Sequence, residues 1–194
     1  MPALMTRPHI TTRWLLPVLL CLAGCNWNPT LEVLPERDAM GPPTVFKGEQ
    51  LIRLYGIEFS ERLYTHDFMQ VFTRTYREAD TVVVVDVYEF KYFDGARHGL
   101  VALSGRPLPT GLADVAAGPA QHVLLPMSEG DHTTYWMLSG RCVARLVQTR
   151  LAPPPGQPVP VLDLDGPAPS RDDPLVNRTA WQLHQRCPML YQFP

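Results

Sequence analysis

The run Thr81-Val-Val-Val-Val-Asp-Val-Tyr-Glu-Phe-Lys-Tyr-Phe93 is β-branched or aromatic over most of its length. Successive side chains of an extended chain point to opposite sides, so Val82, Val84, Tyr88, Phe90 and Tyr92 share one face. That pattern predicts the strongest strand of the chain. Asp86 falls on the same face, and an acid among apolar neighbours calls for a partner arginine. Asp94-Gly95 follows as a turn signal, with Gly99 to Ser104 as the returning arm of a hairpin. Upstream, Leu51-Ile-Arg-Leu-Tyr-Gly-Ile-Glu-Phe59 and Phe68 to Tyr76 carry strand signals as well. Downstream, a Gly/Pro/Ala-rich loop leads to a strand over His122 to Met127. Thr133 to Leu138 and Cys142 to Gln148 then flank Ser139-Gly140 as a second hairpin.

The five prolines of 152–160 predict a rigid excursion, and Val159 to Leu164 a short strand. One helix stands out near the end. Asp173 is placed to cap it, with Pro174 at its first position, and Pro188 stops it. Val176, Ala180, Leu183 and Cys187 recur at helical spacing on one face. Trp136 and Trp181 are expected in the core. The expected fold is mainly β, an antiparallel sheet or sandwich, with one C-terminal helix; α+β is the alternative.

Composition bounds the function. The 194 residues suffice for one ordinary domain, and 45% apolar residues exclude intrinsic disorder. A net charge of −2 offers no basic excess for nucleic acid. Proline, at 21 residues, is about twice its usual abundance, which argues against a helical bundle.

Residues 1–24 contain Arg7, Arg13 and no acid, then a short apolar core from Trp14. This is the layout of a secretory signal, too short in its apolar part to span a bilayer. Leu22-Ala23-Gly24-Cys25 resembles the lipobox of bacterial lipoproteins. The resemblance implies recognition through Leu22, Ala23 and Gly24, cleavage before Cys25, and diacylglycerol on its thiol. Two or three acyl chains satisfy the requirement for stable anchoring. Asn26, in place of an aspartate, points to the outer membrane, with Trp27 at the headgroups. The expected organisation is 1–24 signal peptide, 25–48 lipidated N-terminus and flexible tether, and 49–194 a single β-rich periplasmic domain. Loss of Arg7 and Arg13 leaves the processed chain two charges more acidic.

Cys21 leaves with the signal, so Cys142 and Cys187 remain. In an oxidising periplasm such a pair reads as a disulfide, worth about 4 kcal/mol through chain entropy. It would pin the helix to the strand carrying Cys142.

Val159-Pro-Val-Leu-Asp-Leu-Asp-Gly166 resembles the first motif of haloacid-dehalogenase-type phosphatases. Those folds place a sheet and a lysine motif downstream, whereas the only lysines here, Lys47 and Lys91, lie upstream. Asp163 and Asp165 therefore read as turn acids. No serine lies in Gly-x-Ser-x-Gly, and no HxH or HExxH occurs. Asp131 and His132 are the first place to look for a metal, but adjacent strand residues point apart. The expectation is a protein without cofactor, metal or catalytic residue.

Gly56-Ile-Glu-Phe-Ser-Glu-Arg62, with Phe68, is similar to a G-x-N-Y-T-D-R … F stretch in small lipoproteins that act as immunity proteins beside type VI lipase effectors. Val123-Leu-Leu-Pro126 is similar to a later V-x-L-P strand of that family. Where the family has paired cysteines before it, this chain has Gln121-His122. The resemblance implies an immunity protein that occludes a toxin effector, the most concrete form of a lipid-anchored, non-enzymatic binding protein. The tight contact such a protein needs is expected from exposed aromatics or arginines on loops 105–121 or 152–172. The alternative is a structural accessory of an envelope or secretion machine, and after it a periplasmic hydrolase.

Overall fold

The computed structural model describes residues 34–108, 122–129, 132–150 and 162–187. Its centre is the expected valine run, Thr81–Phe90 (β3). This strand pairs antiparallel with Phe68–Glu78 (β2) through the two-residue turn Ala79-Asp80. On its other side lies Cys142–Arg150 (β6), which forms a hairpin with His132–Ser139 (β5) across Gly140-Arg141. Gly140 adopts a left-handed φ of 54°, which glycine takes without a Cβ clash. His122–Glu129 (β4) and the three residues Thr44–Phe46 (β1) complete an antiparallel sheet in the order β1-β2-β3-β6-β5-β4. Exposed Pro126 stands in the middle of edge strand β4, where it withholds one donor from any added strand.

Four helices among the described residues cover the two faces, so the fold is α+β rather than mainly β. Two stretches expected as strands are helical. Leu51 to Phe59 falls in Glu49–Tyr55 (α1) and Ile57–Tyr64 (α2), separated by Gly56 at φ 84°. Leu51, Tyr55, Phe59 and Leu63 recur every four residues, the helical period, and it is this set that faces the sheet. Asp94-Gly95 and Gly99 to Ser104 form no hairpin but lie in Phe93–Ser104 (α3). Its glycines serve close approach: a Cβ on Gly99 would stand 2.2 Å from the Phe90 ring, and one on Gly95 2.2 Å from the His66 carbonyl oxygen.

The C-terminal helix, Leu175–Arg186 (α4), matches the expectation to within a residue. Pro174 rather than Asp173 holds the capping position, because the Asp173 carboxylate accepts instead from the Ser170 amide at 2.6 Å and hydroxyl at 2.9 Å. Val176, Ala180, Leu183 and Cys187 are all buried. They join Phe72, Val83, Val85, Val87, Tyr135, Met137, Ala144 and Leu146 in the core on this side. Leu162 to Leu164, expected in a strand, is irregular chain whose two leucines enter that core.

Residues 34–46, expected within a flexible tether, instead belong to the domain. Leu34 is buried, Ala39 bridges to Tyr76, and β1 pairs with β2. Arg178 of α4 secures this segment, donating to Asp38 at 3.4 Å and to Glu78. Among the described residues, no helix is long and apolar enough to cross a membrane.

Candidate functional site

The two faces of the sheet are covered unequally. Toward α4, buried side chains run the length of the central strand, from Val83 through Val85 to Val87. Toward α1–α3, cover fades along the strands. The row Val71–Tyr88–Val143–Leu138 is buried beneath the three helices. Two residues further on, Thr73–Asp86–Arg145–Trp136 is partly open. Beyond it, Thr75–Val84–Val147–Thr134 is half-buried throughout. A cleft of about 320 Å³ opens where the helices end.

Asp86 and Arg145 are cross-strand partners, and cross-strand neighbours on one face lie close enough to interact. Arg145 Nη1 lies 3.6 Å from Asp86 Oδ2, an ion pair longer than a hydrogen bond. Thr73 donates to Asp86 Oδ1 at 2.8 Å. Burial raises the Asp86 carboxyl above the ordinary carboxylate range, against the lowering effects of Thr73 and Arg145. The expected arginine partner is thus Arg145. Its side chain is 38% exposed, and its guanidinium lies over the Trp136 ring at 5.8 Å.

The remaining walls come from the helices and the far strands. Tyr55 and Phe59 stack at 5.1 Å between ring centres on one side. Leu103 and Ser104 close α3's end, while Thr134 and Met127 line the strand side. Tyr55 and Tyr88 both line the cleft. Burial first, then nearby Asp86, pushes both phenols upward, Tyr88 furthest, so both stay neutral at ordinary pH. Trp136 is buried in the core as expected, yet one side of its ring lines this cleft.

The other expected sites are distributed as follows. Leu22, Ala23, Gly24 and Cys25 lie outside the described residues, as do Trp27, Asp131, Pro188 and the parts 109–121 and 152–161 of the loops expected to carry anchors. Cys142 and Cys187 meet as two buried thiols. Their mutual hydrogen bond and then burial push the Cys187 thiol well above its ordinary value. Asp163 Oδ1 accepts from the Asp165 amide at 3.2 Å and the Gly166 amide at 2.9 Å, the local turn expected of it. Trp181 is half-buried rather than core, and donates to the Gly166 carbonyl at 3.2 Å. His132 is half-buried on β5, and the described residues contain no group of three metal-ligating side chains.

Two pairs join residues that no sequence motif connects. Ser139 Oγ lies 3.0 Å from His184 Nδ1, but both residues are buried, which withholds the hydroxyl from a substrate. His66 and His98 lie ring to ring at 5.4 Å beside the α3 glycines. No protein-family model matches the chain, and neither a curated protein nor a solved structure does so.

Proposed function

We propose that the protein is a lipid-anchored, non-enzymatic binding protein of the bacterial envelope. In its most concrete form it is an immunity protein that occludes a secreted toxin effector. The observation that carries the reading is the unequal cover of the sheet: one face is sealed, while the other presents Val84, Val147, Thr75 and Thr134 half-open beside an aromatic and arginine-lined cleft. Trp, Tyr and Arg set in a packed surround are the residue types that dominate protein–protein affinity. An acyl anchor on Cys25 would confine that surface to the outer membrane, facing the periplasm, and raise its local concentration against an incoming effector. The acidic processed chain would favour a basic partner.

A photo-crosslinking residue at Val84 tests this reading against one at exposed Gln185 on α4. A single stoichiometric adduct with an envelope or effector protein is expected from position 84 alone. Equal labelling from both positions, or none from either, would overturn it. Cys25→Ser should abolish palmitate labelling and membrane association together.

The same compartment bears on the thiols. The reading includes a Cys142–Cys187 disulfide, in which two thiols give one S–S bond while two electrons and two protons pass to a protein disulfide oxidant. Thiol-trapping mass spectrometry should find the two cysteines linked; two free thiols in the exported protein would exclude the bond.

A further inference from the structure

We infer that the cleft between the ends of α1–α3 and the open strand rows is a binding site for a small aromatic carboxylate. This goes beyond the protein-partner reading and depends on the cleft alone. The volume, about 320 Å³, falls at the lower end of small-ligand sites, which combine apolar walls with a few placed polar groups. The walls are chiefly rings. Tyr55 and Phe59 stand on the helix side, and Tyr88 and Trp136 on the strand side. Flat, quadrupolar surfaces of this kind favour an aromatic body by stacking and edge contacts.

Among the described residues, Arg145 is the single charged one lining the cleft. It is also held in place. Trp136 lies against its guanidinium and Asp86, outside the lining, pairs with Nη1 from beneath. A planar guanidinium has two edges, and a carboxylate takes an edge through paired N–H donors. With Nη1 turned to Asp86, the edge formed by Nη2 and Nε is the one that a ligand carboxylate would use. The hydroxyls of Thr134 and Ser104 stand in the same lining as further donors. Preorganisation by stacking and ion pairing lowers the entropy that Arg145 would otherwise lose on binding.

Isothermal titration of the full chain in nanodiscs with naphthalene-2-acetate and its neutral isostere naphthalene-2-acetamide tests the site. The acid should bind at one site, and Arg145→Gln should weaken it by about tenfold or more, as expected for a hydrogen bond to a charged group. The amide should bind more weakly than the acid, and its affinity should be unmoved by the substitution. Leu103→Trp, which fills the cleft from the opposite wall and leaves the ion pair intact, should abolish binding of both while thermal unfolding stays in place. It serves alone if Arg145→Gln fails to fold. Equal affinity for acid and amide, an unchanged acid affinity in Arg145→Gln, no saturable binding, or full binding in Leu103→Trp would each overturn the proposal.

Discussion

The two faces of the sheet use the same strands for opposite ends. Alternate residues of β3 supply both: Val83, Val85 and Val87 disappear beneath α4, whereas Val84 stays half-open and Asp86 borders a cleft. On the α4 side an apolar helix face and the leucines at 162 and 164 seal the surface, and the Arg178 ion pairs tie down the N-terminal segment. On the other side, α1–α3 pack tightly only over the end of the sheet near Phe90. Stability and accessibility are therefore separated by the two-residue period of a single strand.

Neighbouring substitutions on β3 give the strongest test of that separation. Val83→Asp would bury an unpaired carboxylate and should cost about 4 kcal/mol or more, leaving little folded protein. Val84→Asp, one residue away, should cost less than about 1 kcal/mol in a denaturant titration, because its side chain reaches solvent. Comparable losses at the two positions would mean that the helix side is sealed after all.

A smaller effect concerns the one end where the helix side is tight. Gly99→Ala would push a methyl group into the Phe90 ring and should destabilise by about 2 kcal/mol, although alanine is the better helix former. A stabilised variant would show that α3 lies looser on the sheet than its glycines imply.

The smallest effect is a pH dependence at the cleft. Burial raises the Asp86 carboxyl in the folded state, so the folded protein holds that proton more tightly than the unfolded chain. The penalty is fully present above the folded value, and it is relieved as pH falls through that value toward the ordinary 3.8. Thermal unfolding of the native chain should therefore gain on Asp86→Asn as pH is lowered from 7 to 4. A relative stability that stays flat, or that shifts toward Asp86→Asn as pH falls, would place Asp86 in water.

Much of the sheet was legible because its signals are local. β-branched runs with period two mark β2, β3, β5 and β6, and the four-three-four spacing of Val176, Ala180, Leu183 and Cys187 marks α4. The helix side was not legible for a related reason. Gly95 reads as a turn residue and Gly56 and Gly99 as parts of strands, and only Phe90 and the His66 carbonyl reveal that Gly95 and Gly99 are contact positions within a helix. Since α1, α2 and α3 supply Tyr55, Phe59, Leu103 and Ser104, misreading them as strands hid the cleft. Asp86, which pairs with Arg145 from outside the lining, was visible beforehand as a charge on an apolar face.

By itself, then, the sequence determined the strands β2 to β6, the last helix and the need of Asp86 for a cation, since each depends on residues close in the chain. Tertiary structure decided that the cation is Arg145, 59 positions away but cross-strand in the sheet. It also decided that Cys142 meets Cys187 and that one face of β3 stays open. Those outcomes depend on strand order and on how far a helix layer reaches, which no local pattern encodes.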